Sequence, residues 1–320
     1  MLSRGSKGRL LVPLALVAVA LTGVPVSATR QPAPPPDPPG QAQVVVTAGG
    51  GRLVHTTRDF WGNWQPADQT GPFGQIIGLT STYHLGEDNV FFHTDEDGGR
   101  LAHLVRHNDG TWDTATAPPE QSKPTALAVT DLAGELAMVA VTDTRPALSI
   151  QEPDGTWSPW MAVPATGPVT EVAATADGTT LRVVAVAGGQ TLDVRDRAAD
   201  GRWTDVGHTD IHFHPSEISA AQVGDTLQFA AIDAGTIRHG QLIGPGAWVG
   251  PDSLDAPGYA VHVSVTAWLT GLQLVYTTRE GRIQHSLRLS SGSWQPWGDV
   301  TRESGAPAAG AVAVAARTAF

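Results

Sequence analysis

The 320-residue chain contains no cysteine. That excludes disulfides, thiol chemistry and a lipid-modified N-terminal cysteine. Lysine is almost as scarce, with only Lys7 and Lys123. No apolar run reaches the roughly 20 residues a spanning helix needs; the longest, Leu10–Val24, has 15 and is broken by Pro13, Thr22 and Gly23. No window sustains a helical period. Neither a nucleophile motif nor a phosphate-binding glycine loop stands out, and nothing calls for a cofactor. Basic charge is also short, at 20 Lys+Arg against 31 Asp+Glu. An acidic surface of this kind argues against nucleic acid and against anionic membrane as partners.

The ends carry processing signals. Arg4, Lys7 and Arg9 precede Leu10–Val24, and Val26-Ser27-Ala28 offers small residues for cleavage. Residues 1–28 thus read as a secretory signal, and the mature chain is expected outside the cell. Without those three basic residues the balance is 17 against 31, a net charge of −14. "TRQPAPPPDPPGQ" (29–41) has six prolines and almost nothing to bury, which fits an extended spacer. A folded part without disulfides relies on a large core, and the remaining residues, 42–320, are enough for one.

What the chain has in abundance is repetition. "GRLVHTTRDFWGNWQPADQT" (51–70) returns as "GRIQHSLRLSSGSWQPWGDV" (281–300). Trp64, Trp112, Trp157, Trp203, Trp248 and Trp294 are spaced by 48, 45, 46, 45 and 46 residues. That period suits a four-stranded propeller blade. Each period parses into four β runs: one alternating or apolar, one apolar throughout ("LAMVAVTD"), one of the "RLAHLVR" type, and one beginning at the tryptophan. Asp-Gly, Gly-Asn or Ser-Gly pairs before five of the tryptophans read as two-residue hairpin turns. The N-terminal copy lacks its first run, and "GAVAVAAR" (310–317) supplies one after the last tryptophan. The fold class is therefore all-β, a six-bladed β-propeller whose C-terminal strand completes the N-terminal blade and leaves no open edge.

The carriers "GRLAHLVRHNDGTW" (99–112), "DGTWSPWMAV" (154–163) and "GRIQHSLRLSSGSWQPWGDV" resemble the repeats of bacterial and fungal propeller lectins, the tectonin-like and fucose-binding groups. The resemblance implies glycan or polysaccharide partners, held between adjacent blades with one potential site per interface. The second tryptophan of the phrase is kept only at Trp160 and Trp297, so some sites are expected to be lost. Sialidase repeats need one residue between Asp and Gly, and here the two adjoin. Kelch and WD punctuation is not periodic in this chain.

Several residues are candidates for chemistry. A histidine stands nine before the repeat tryptophan at His55, His103, His239 and His285, and an arginine six before it at Arg58, Arg106, Arg197 and Arg288. His55 with Arg58, His103 with Arg106 and His285 with Arg288 are the copies that keep both. Side chains three apart on a strand face opposite ways, so an arginine is expected to face the histidine of a neighbouring blade. A histidine here serves either interblade packing or the floor of a sugar pocket. Trp61, Trp160, Trp268 and Trp297 lie off the repeat position and are candidates for stacking on a sugar. His208, His212 and His214 form a weak metal candidate if that stretch is extended. Asp95–Gly99 has part of a calcium-loop composition. Glu171 and Glu217, each 14 residues after a repeat tryptophan, could line the channel mouth as a carboxylate pair. The expected function is non-catalytic carbohydrate binding; the alternatives are a glycoside hydrolase using that pair and a protein-binding adhesion scaffold. The sequence leaves the oligomeric state open.

Overall fold

A computed structural model of the protein describes residues 42–59, 61–95, 99–119 and 123–316. The signal and spacer segments, and most of Asp95–Gly99, lie outside the described residues. Among the described residues, strands assemble into six four-stranded antiparallel sheets. The inner strands are Ile76–His84, Ala126–Leu132, Val169–Asp177, Ile218–Val223, Ala260–Trp268 and Ala309–Ala316. Each touches the next around a closed ring, which makes a six-bladed propeller. Closure follows the expected route: Ala309–Ala316 pairs antiparallel with Ala42–Ala48, from Ala42 opposite Ala316 to Val46 opposite Val312. Blade one therefore combines both ends of the folded chain, and blades two to six follow in sequence order.

Hydroxyl groups tie the inner strands together. Thr175 Oγ1 accepts the Gln222 N–H at 3.0 Å, Ser219 Oγ the Val265 N–H at 3.0 Å, and Ser264 Oγ the Val314 N–H at 3.1 Å. The last of these crosses from blade six to the closing strand. The core lies between blades rather than within them. Each of the six hydrophobic clusters joins two neighbours, such as Val45 and Leu53 with Val90 and Phe92 between blades one and two. This is why the second strand of each blade, covered on both faces, is largely buried and mostly apolar, with a few buried polar residues such as Gln43, Asn89 and Gln228.

Three local features depart from the sequence reading. The Asp-Gly-type hairpins are three-residue loops. In blade one the Gly62 N–H donates to Asp59 O and the Asp59 N–H to Asn63 O, and a left-handed Gly62 at φ 92° closes the loop. Blades two, three, four and six repeat this bonding. Second, the tryptophan opens the outer strand only in blades two, four and five. In blades one, three and six it forms an isolated bridge, and the outer strand follows as Asp68–Thr70, Met161–Ala162 or Gly298–Asp299. Those three copies carry Pro66, Pro159 and Pro296 two residues after the tryptophan, and proline has no N–H to continue a ladder. Third, a single helical turn, Val300–Ser304, is capped by the Asp299 side chain and by Gly305 at φ 71°. It buries Val300 between blades six and one.

Deleting residues 306–320 removes the closing strand and with it Val312 and Val314 of the cluster between blades six and one. The truncated protein is expected to lose cooperative thermal unfolding by circular dichroism. A truncated protein melting at the full-length temperature would refute the closure.

Candidate functional site

The third strand of each blade faces the tryptophan of the next. His55 meets Trp112 edge-on at 5.9 Å between ring centroids, and His103 meets Trp157 at 6.5 Å. His239 meets Trp294 at 5.2 Å, and His285 meets Trp64 at 5.3 Å across the chain closure. Each histidine also bonds, through Nε2, an amide oxygen on the second strand of its own blade. The partners are Gln43 at 2.5 Å, Asn89 at 2.9 Å, Gln228 at 2.8 Å and Gln273 at 2.8 Å. Each amide stands two residues before the residue paired with the histidine. Blades three and four have Leu148 and Val194 in the histidine position, and their amide positions hold Ala137 and Arg182. Leu148 shares a cluster with Trp203, and Val194 with Trp248. The histidine and its amide come and go together, as a satisfied polar pair inside an apolar seam must. Burial pushes His103 and His239 down to about 4 and His285 down to about 3, so these rings stay neutral around pH 7. The geometry assigns these histidines to interblade packing.

Three of the arginines behave as the strand periodicity requires: Arg58, Arg106 and Arg288 each face the preceding blade. The charge of Arg288 adds to the depression of His239 of blade five, and that of Arg58 to the depression of His285 of blade six. Arg106 of blade two reaches Asp68 of blade one, Nη2 to Oδ2 at 3.1 Å, and the same Oδ2 lies 3.6 Å from His55 Nδ1. Arg58, Arg197 and Arg288 lie over the hairpin glycine of their own blade. A Cβ at Gly62, Gly201 or Gly292 would fall 2.8, 3.3 or 3.2 Å from the guanidinium. The glycines thus serve both the left-handed turn and the close approach of the cation.

Two of the off-register tryptophans also act as interblade ties. Trp160 donates its indole N–H to Pro119 O at 2.8 Å, and Trp297 to Asp255 O at 2.7 Å, each reaching the preceding blade. Trp297 stacks on Trp294 as well. Trp268 ends the inner strand of blade six. Trp61, at the tip of the blade-one hairpin, is 83% exposed.

The channel mouth gathers a second group. Gly78, Ala126, Glu171, Glu217 and His262, each 14 residues after its repeat tryptophan, line a cavity of about 230 Å³ near the starts of successive inner strands. Gly78 leaves room for His93, whose Nε2 would stand 2.1 Å from a Cβ there. The histidine came to the channel from a second strand, and only the missing side chain of its partner signals it. Glu217 Oε2 accepts from His262 Nδ1 at 2.9 Å; burial lowers His262, but that bond and the Glu217 charge together raise it. Burial and the neighbouring Glu217 push Glu171 up to about 8, so it stays protonated around pH 7. The carboxylates do converge, but one is neutral and the other is tied to a histidine.

The histidine-rich stretch is not extended, as a metal site there would require, because His212 takes φ 60° and points outward at 84% exposure. His208 lies in the outer strand of blade four, and His214 bonds Gly189 O at 3.0 Å. Among the described residues no three His, Asp or Glu side chains gather as metal ligands.

No protein-family profile and no curated protein matches the chain. Solved structures do resemble it. The BP39L lectin from Burkholderia pseudomallei is 17% identical, with 82% of this chain and 81% of that one covered at a TM-score of 0.59. Aleuria aurantia lectin, described as a six-bladed β-propeller with a novel fucose recognition mode, is 12% identical over 83% and 97% at 0.53. A chain of a nidogen/laminin complex is 14% identical over 87% and 100% at 0.58. At these identities the likeness establishes the fold, and the fold serves more than one kind of partner.

Two outcomes check these assignments. His285→Ala should cost about 3 kcal/mol in chemical denaturation, because it opens a cavity against Trp64 and strands the Gln273 amide. His285→Leu with Gln273→Ala copies Leu148 and Ala137 of blade three and should stay within about 1 kcal/mol of the parent. A His285→Ala protein of full stability would contradict the packing role. The pH dependence carries two signs. Neutral buried histidines withdraw stability as pH falls from about 6.5 towards 4, since the unfolded chain takes up protons first. Glu171 withdraws it as pH rises from about 4.5 towards 8, since the unfolded carboxyl ionises first. Stability should therefore peak near pH 6.5. Glu171→Gln should raise the alkaline side by up to about 4 kcal/mol; melting curves of equal shift at pH 5 and pH 8 would refute it.

Proposed function

We propose that this is a secreted carbohydrate-binding propeller without catalytic activity, which takes glycans in the niches between blades. The observation that carries the reading is the repeated cation at the seams. In three consecutive interfaces, from blade five round to blade two, an arginine of one blade faces the histidine wall of the one before it. A guanidinium presents a fixed fork of donors suited to sugar hydroxyl or carboxylate oxygens. The similarity to lectin propellers of bacterial and fungal origin supports the same reading. Secretion rests on the signal read in residues 1–28.

Single niches of this size are expected to bind sugars at about millimolar Kd, near −4 kcal/mol. Useful retention then comes from several niches on one rigid ring, where linked sites add roughly 10²–10⁴. The protein should be retained on at least one member of an immobilised panel of neutral and acidic glycans, competed off by free sugar, and release no product. Replacing Arg58 and Arg288 together by Ala should lower that retention at least tenfold in a folded protein. Absence of retention across the panel would refute carbohydrate binding, and product release would favour the carboxylates of the channel.

A further inference from the structure

The three arginines that face a histidine seam are not in the same electrostatic state. Arg106 has its charge met inside the protein by Asp68. Arg58 lies within reach of the fields of Asp59 and Glu303. Arg288 has neither: among the described residues it makes no salt bridge and no side-chain hydrogen bond. Burial alone acts on it, holding its pKa below the ordinary arginine value. Arginine keeps its proton, so this half-buried guanidinium carries its charge with no counter-ion among the described residues.

Its surroundings are shaped to receive one. Arg288 lines a cavity of about 280 Å³ between blades five and six with Thr226, Gln228, Gln241, Thr270 and Ser291. No carboxylate lines it. Gln228 is fixed by His239, its Oε1 accepting from His239 Nε2 at 2.8 Å, which keeps that wall rigid. Beyond the cation the polar lining is amide and hydroxyl groups, which both donate and accept hydrogen bonds as sugar hydroxyls do. A pyranose ring has apolar C–H faces, hydroxyls for the amide and hydroxyl wall, and, when acidic, an oxyanion for the fork.

We propose that the niche between blades five and six selects an acidic sugar, a pyranose carrying a carboxylate or sulfate oxyanion, with Arg288 as its anion-binding residue. This inference rests on the carbohydrate reading above and narrows it to one ligand class at one seam. The niche between blades one and two, where Asp68 already occupies the guanidinium, is by the same reasoning closed to acidic sugars.

Calorimetric titration of the whole protein with methyl β-D-glucuronide, methyl β-D-glucoside, methyl β-D-glucoside 6-sulfate and sodium sulfate tests this. The glucuronide or the sulfated glucoside, or both, should bind at about millimolar Kd. The neutral glucoside should bind at least tenfold more weakly, and the gap should shrink with added salt. Arg288→Gln should lose at least tenfold for the acidic sugars while melting no lower than the parent, because no partner is stranded. Arg288→Lys, which keeps the charge and loses the fork, should bind between the two, and it supplies the same test if the Gln variant fails to fold. Unchanged acidic-sugar binding in a folded Arg288→Gln protein overturns the proposal. A neutral glucoside that binds as tightly as both acidic glycosides overturns the acidic selectivity but leaves carbohydrate binding standing. Sodium sulfate alone binding as tightly as either acidic glycoside overturns the sugar requirement. Failure of all four probes overturns the niche, and retention on the glycan panel then still decides the broader reading.

Discussion

An indole set edge-on against the third strand of the preceding blade is the contact on which this molecule depends. A four-stranded blade is apolar on both faces and cannot stand alone, so each must find a neighbour on both sides. The tryptophan after each outer hairpin supplies much of that contact, and its 45–48-residue spacing is the blade spacing. What it meets varies. In four seams it meets a histidine that hydrogen-bonds an amide; in two it meets Leu148 or Val194 with no amide to satisfy. The geometry tolerates either solution because each histidine keeps an amide partner and each aliphatic replacement needs none.

Closing the ring makes the last seam equivalent to the others. His285 meets Trp64 as His239 meets Trp294, although those two partners are 221 residues apart in sequence and the latter pair only 55. The seam is held by the closing strand, by the Ser264 hydroxyl that receives Val314, and by the helical turn that buries Val300. A chain without disulfides thus gains its constraint from topology, with no unpaired sheet edge where the ends meet. The polar seams carry a cost in pH range. Neutral histidines at the seams and a protonated Glu171 at the channel limit stability from opposite sides.

Much of this was legible in the sequence, for a definite reason. Propeller blades repeat, so the tryptophan ladder gave the blade count, and the missing first run at Gln43 together with the extra run at Gly310 gave the closure. Strand periodicity also placed Arg58, Arg106 and Arg288 against the histidine side of the neighbouring blade. The rest needed three dimensions. Whether a buried histidine is packing or pocket depends on its amide partner, 11 to 14 residues away on another strand. Pro66, Pro159 and Pro296 were visible, but their effect in delaying the outer strand shows only once the ladder is drawn. Trp160 and Trp297 looked like sugar platforms because they break the repeat, yet their indole N–H groups tie them to loop carbonyls. Nothing in the residue pattern distinguished Arg288 from Arg106, because the carboxylate that separates them, Asp68, belongs to a neighbouring blade.

The molecule therefore offers two polar regions of different character. The channel mouth is self-contained, with Glu217 bonded to His262 and Glu171 holding its proton. The seams hold cations that the protein neutralises in one case and leaves open in another. Function is assigned to the seams on that difference. A crystal structure of the protein with its retained glycan tests it most directly. The account predicts sugar density at the hairpin end of a seam, with an oxygen within hydrogen-bond distance of Arg288. Density confined to the central channel, against Glu171 and Glu217, would contradict it.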